Sequence, residues 1–159
     1  MNKEIYLKGL RLLARKIYST HRLRKKLLEK GYRPSEIEEA IQIWTKERFL
    51  NDQEYSVIRI RSLFRRGYGP KRMLFTLQTE GIKLDELQLM TIIIEEKLDF
   101  EIKIQSLIFK KIQRMSYDQQ QGIQNSRNDQ AKIINYLVGK GHEIELSKLM
   151  LKNYLIKDL

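Results

Sequence analysis

The sequence predicts an all-α protein built from three tandem three-helix-bundle repeats, and three observations carry that prediction. Apolar residues recur every three or four positions through most of the chain, the spacing of one buried helix face. Two prolines and eight glycines among 159 residues leave room for long helices. A leucine–glycine pattern also appears three times, as Leu23-Leu27-Gly31, Met73-Leu77-Gly81 and Ile133-Leu137-Gly141. Each copy has a leucine four residues before the glycine and an aliphatic residue or methionine eight before it. Glycine there supplies the left-handed conformation that ends a helix. The predicted repeats span residues 1–50, 51–97 and 98–159.

The first helix runs from Glu4 to Ile17, with Leu7, Leu10, Leu13, Ala14 and Ile17 on one stripe. Ser19 is placed to cap a second helix, Thr20 to Lys30, whose leucines lie opposite Arg22, Lys25 and Lys26. Pro34 opens a third helix that continues to Arg48. Asn51 or Asp52 caps the next, which extends through Tyr55, Ile58 and Leu63 to Arg66. On it Arg61 and Arg65 form one row, and Arg59 and Arg66 a neighbouring one. Gly67-Tyr68-Gly69-Pro70 makes a tight turn into a helix from Lys71 to Glu80, followed by one from Asp85 to Lys97. The β-branched run near Ile92 is read as buried helix, because no other stretch alternates as a pairing strand would. The third repeat holds helices at Phe100–Met115, Asp129–Leu137 and Glu143–Leu155, with a polar, Gln- and Asn-rich loop at 116–128.

Charge is unevenly spread. Residues 1–72 carry 19 Lys and Arg against 8 Asp and Glu, a surplus of 11, whereas residues 73–159 carry 12 of each. One basic half suggests a polyanionic partner met by one end of the chain. The absence of cysteine argues against a disulfide-stapled secreted protein, and the charged N-terminal residues lack the apolar run of a signal peptide. A cytoplasmic protein without a membrane span is expected.

Few residues suit catalysis. His21 and His142 lie in different repeats, neither with the spacing of a metal site or triad, and each is read as a surface residue or a cap. Gly67-Tyr68-Gly69-Pro70-Lys71-Arg72 lacks the spacing and the Lys-Ser/Thr end of a phosphate-binding loop. Asp99, Glu101 and Lys103 mimic a nuclease cluster only superficially, since a helix points them apart. No catalytic residue, metal or cofactor is expected.

The chain resembles the RecX family, whose members modulate the RecA recombinase. The similarity runs through LARKIYSTHRLRKKLLEKGY (Leu13–Tyr32), IEEAI (Ile37–Ile41), FLNDQEY (Phe49–Tyr55) and RGYGPKRMLFTLQTEGI (Arg66–Ile82). The last segment is the most specific, and the match thins from about Leu98. Trp44 stands where the family more often has an aliphatic residue, and His142 where its third repeat usually has an aromatic one. The resemblance implies an elongated, curved run of three-helix repeats that lies along the groove of a RecA filament on single-stranded DNA. It also implies restraint of ATP hydrolysis and strand exchange, with no enzymatic activity.

Candidate contacts with nucleic acid or filament are Arg22, Lys25, Lys26, Arg59, Arg61, Arg65, Arg66, Lys71 and Arg72. Without Asn or Gln beside them, the cations of the Thr20–Lys30 helix suit phosphates rather than base edges. Binding to single strands alone should therefore be weak, non-specific and salt-dependent. The expected partners are RecA and single-stranded DNA, and the expected form is a monomer. The competing reading is a general basic helical nucleic-acid-binding protein that acts without RecA.

Overall fold

A computed structural model describes residues 2–157. Among them every regular element is helical: α1 (Lys3–Leu13), α2 (Thr20–Leu28), α3 (Pro34–Lys46), α4 (Asp52–Arg65), α5 (Pro70–Thr79), α6 (Glu86–Glu95), α7 (Phe100–Ile112), α8 (Tyr117–Gly122), α9 (Arg127–Gly139) and α10 (Ile144–Lys157). The fold is all-α. None of these helices is long and apolar enough to cross a membrane.

Polar side chains start the helices. The Ser19 hydroxyl accepts from the Arg22 N–H at 3.3 Å, and Asn51 Oδ1 accepts from the Gln53 and Glu54 N–H groups at 2.9 and 3.2 Å. Left-handed residues end six of them, α2 to α6 and α9. At Gly31, Gly81 and Gly141 φ is +84°, +80° and +90°, and the following N–H donates to the leucine carbonyl five residues back: Tyr32 to Leu27, Ile82 to Leu77, His142 to Leu137. This is the Schellman arrangement that satisfies the last carbonyls of a helix. Gly67 repeats it, with Tyr68 donating to Leu63. Arg48 and Lys97 do so too, at φ +62° and +51°, although neither is glycine.

The chain divides into two compact units. The first comprises residues 1–60 and 76–85, the second residues 61–75 and 86–159, so α4 and α5 each contribute to both. In the first, α3 packs on α1 and α2. Ile5, Leu23, Leu27, Ile37, Ala40, Ile41, Trp44 and Leu50 form its core. Trp44 is fully buried and stacks on Tyr6, with centroids 6.2 Å apart. Gly9 makes room for it, since a Cβ at that position would overlap the indole. In the second unit α7, α9 and α10 pack pairwise around Ile104, Leu107, Ile108, Ile133, Leu137, Met150 and Leu151.

Two expectations need correction. Residues 116–128 are not a loop throughout, because α8 forms there behind a capping box of Ser116 and Gln119. Ile123 is buried, and the Gln130 amide donates to the Ile123 and Gln124 carbonyls, both at 2.9 Å. Amide side chains thus satisfy the backbone while a single apolar residue anchors the segment. The first helix also ends at Leu13 rather than Ile17, where the bonds tighten to Arg15 N–H on the Leu12 carbonyl.

Candidate nucleic-acid interface

The candidate cations fall into two differently built groups. In the first unit Glu80 is the centre. The residue is only 8% exposed, and its carboxylate accepts a fork from Arg59 at 2.7–3.1 Å, one bond from Arg22 Nη1 at 3.2 Å and one from the Tyr55 hydroxyl at 2.8 Å. Its backbone carbonyl accepts from the Ser19 hydroxyl at 2.6 Å. Burial alone would raise the Glu80 pKa, but the bonds from Arg59 and Tyr55 and the two guanidinium charges outweigh it and hold the group below the usual carboxylate range. Arg22 and Arg59 are therefore joined to a resident anion. On the exposed face of α2, Lys26 pairs with Glu29 at 3.4 Å, while Lys25 makes no hydrogen bond or ion pair with another described residue.

In the second unit the turn after α4 is the centre. Gly67 reverses the chain, and the Gly69 N–H donates to the Lys140 carbonyl at 2.8 Å and the Lys71 N–H to that of Gly141 at 3.2 Å. A Cβ on Gly69 would strike the Gly141 backbone, and one on Gly141 would strike the backbone of Arg72. Glycine is required on both sides of this junction. The Tyr68 ring consequently stands among Arg66, Arg72 and Lys140, whose charges lie 5.2, 5.8 and 4.9 Å from its centroid.

Arg61 is tied by a fork to Glu96, and Lys71 to Glu143 at 2.8 Å, a bond that raises the Lys71 pKa. Arg65 is exposed and makes no hydrogen bond or ion pair with another described residue. Lys140 and Lys111 join the basic surface although both lie in the half of the sequence that is neutral overall.

His142 corrects a further expectation. It is neither a surface residue nor a cap but 2% exposed, with Nε2 3.0 Å from the Gly67 carbonyl and the ring edge-on to Phe100. Since that carbonyl only accepts, Nε2 carries the proton, and the buried Nδ1 has no partner among the described residues. Burial holds the imidazole below its ordinary pKa, the Gly67 bond opposing and the Lys140 charge reinforcing the shift. Packing against α7 put this side chain inside, which its polar neighbours in sequence concealed. A cleft of about 290 Å³ opens beside it, lined by Pro70, Leu74, Leu89, Met90, Phe100 and His142.

Known proteins share this architecture. The crystal structure of RecX from Lactobacillus salivarius superposes with a TM-score of 0.73 over 95% of this chain and 94% of its own, at 23% identity, which establishes the likeness of fold. The family model for the first three-helix domain of RecX matches residues 6–42. Regulatory protein RecX of Clostridium beijerinckii is 27% identical over 95% of this chain and 68% of its own length. That of Haemophilus ducreyi is 33% identical over 113 residues, 62% of this chain and 75% of the relative. With the repeated helix ends and the glycine junction at Gly67–Gly69 in place, these matches show that the chain belongs to the RecX family.

Proposed function

We propose that this protein is a non-enzymatic cytoplasmic regulator that binds RecA filaments on single-stranded DNA and restrains RecA ATP hydrolysis and strand exchange. It would act in homologous recombination, DNA repair and the SOS response. Membership of a family of regulatory proteins named RecX carries the reading. Physical support comes from the helix ends. The three glycine-terminated helices α2, α5 and α9 share one hydrogen-bond pattern, as expected of three tandem repeats over 1–50, 51–97 and 98–159. A chain of similar modules suits a partner with a repeating surface, because each module adds its own contact patch.

Nine cations are proposed to serve that contact in different ways. Lys25, Lys26, Arg65, Arg66, Lys71 and Arg72 supply attraction to phosphates and acidic protein surface. Arg22 and Arg59, joined to the buried Glu80, and Arg61, forked to Glu96, shape the framework. The glutamate pairs of Lys26 and Lys71 are instead exposed single contacts that a phosphate can replace. The protein works as a monomer and binds single-stranded DNA weakly and without sequence preference when RecA is absent.

Titration into a RecA ATPase reaction on single-stranded DNA tests this reading. Suppression well below one molecule per RecA monomer is expected. Charge reversal at Lys25, Lys26, Arg65, Lys71 and Arg72 should raise the amount required, chiefly at low salt, since such attraction is screened within about 8–10 Å at physiological ionic strength. An effect that appears only when the protein saturates the DNA would leave general nucleic-acid binding as the explanation.

A further inference from the structure

We infer that the Tyr68 region is a stacking site for the bases of single-stranded DNA, in which aromatic rings receive bases and the cations between them receive the flanking phosphates. This rests on the DNA-binding part of the proposed function and adds where the strand lies and what holds it.

The observation is an alternation. Arg72 lies 5.9 Å from the Phe75 ring and 5.8 Å from that of Tyr68. Lys140 lies 4.9 Å from Tyr68 and 5.4 Å from Tyr136. Lys111 follows at 5.3 Å from Tyr136. Ring and cation thus succeed one another across three rings, and each inner cation is shared by two of them. A single strand offers the matching alternation of base face and phosphate, whereas a duplex hides its base faces in the stack.

Burial explains neither Phe75 nor Tyr68, whereas Tyr136 packs partly against the core of the second unit. Phe75 is 59% exposed at the surface of α5, and Tyr68 and Tyr136 are only half-buried. The centre is also preorganised. Two backbone hydrogen bonds join the turn that carries Tyr68 to the turn that carries Lys140, so ring and ammonium are placed before any ligand arrives. The neighbouring carboxylate of Glu143 is occupied by Lys71 at 2.8 Å. When a strand binds, the cations exchange a ring face for a phosphate and leave the face to a base.

The test is fluorescence anisotropy of the full-length protein with labelled oligo(dT) and with an abasic strand of equal length, without RecA. Base–aromatic stacking predicts that the wild type prefers oligo(dT) by at least about tenfold. Tyr68→Ala should remove most of that preference while leaving the abasic affinity within about twofold, and Tyr68→Trp should retain it. Lys140→Gln, which keeps the ring, should weaken both strands alike and lower the salt slope by about 0.7. Equal wild-type affinity for the two strands overturns the inference without any variant. So does an equal loss on both strands in a folded Tyr68→Ala protein, which would mark the face as a phosphate or protein contact. If RecA ATPase is suppressed without base preference, the stacking site fails and the RecA reading stands. Base preference without suppression gives the reverse.

Discussion

Glu80 and Tyr68 each gather basic side chains, yet they prepare those cations for opposite roles. Around Glu80, two arginines and a tyrosine converge on a carboxylate almost withdrawn from water. A phosphate approaching Arg22 or Arg59 has to displace an anion already held in good geometry, which breaks bonds worth more than an exposed ion pair returns. Around Tyr68, the same kind of cation rests on ring faces, which attract it without neutralising it. Two clusters of similar composition thus differ in what their centre is. A resident carboxylate makes a structural joint, and an aromatic ring leaves charge available to a ligand.

Stability measurements offer the strongest way to break this contrast. Glu80→Gln keeps the side-chain shape but removes the charge, and a loss of about 2 kcal/mol is expected in urea denaturation, because hydrogen bonds to charged groups are worth about 1.5–3 kcal/mol each. Arg66→Gln, at an exposed cation on the Tyr68 ring, should change stability by less than about 0.5 kcal/mol, as surface substitutions do. It should instead lower the slope of log DNA affinity against log salt by about 0.7, a change absent from Arg22→Gln and Arg59→Gln. A salt slope that falls with Arg59→Gln would erase the distinction.

The helix-ending glycines sharpen it further. Gly31 has open space around it, so Gly31→Ala should cost only the left-handed strain of about 1 kcal/mol. Gly141 has the same positive φ but abuts the backbone of Arg72, so Gly141→Ala should cost at least twice as much and disturb the Tyr68 region with it. Equal losses in thermal unfolding would show that the junction is looser than its hydrogen bonds imply.

The smallest expected effect is a difference in pH response. His142 has a folded pKa below its ordinary 6.5, so its neutral form is the one that folds. Its contribution is whole above that value, declines as pH falls through it while the unfolded chain takes up protons, and levels off once the folded form is protonated too. Glu80 is also depressed, from 4.5, and its contribution persists above that value and disappears as pH falls through the lowered one. Denaturation profiles should therefore weaken first near pH 6.5, in a step that His142→Gln removes, and again in the acid range, in a step that Glu80→Gln removes. A wild-type profile flat between pH 7 and 5.5 would contradict the burial of a neutral His142.

By itself the sequence determined nine of the ten described helices, the glycine-marked helix ends and the family. These features are local: a 3.6-residue period, a cap within three residues, a leucine carbonyl five residues before its donor. The left-handed ends at Arg48 and Lys97 carry no mark in the sequence, because neither residue is glycine. The short helix α8 was hidden by amide-rich composition, and the role of Gly9 by the distance to Trp44. Only the tertiary structure decided which cations are committed. Arg22 meets Glu80 across 58 residues and His142 meets Gly67 across 75. Net charge sums over a segment and keeps no record of partners, so a stretch with twelve charges of each sign could still place Lys140 beside Tyr68. Periodicity fixes which face of a helix is buried, but the group that face meets depends on how distant helices pack.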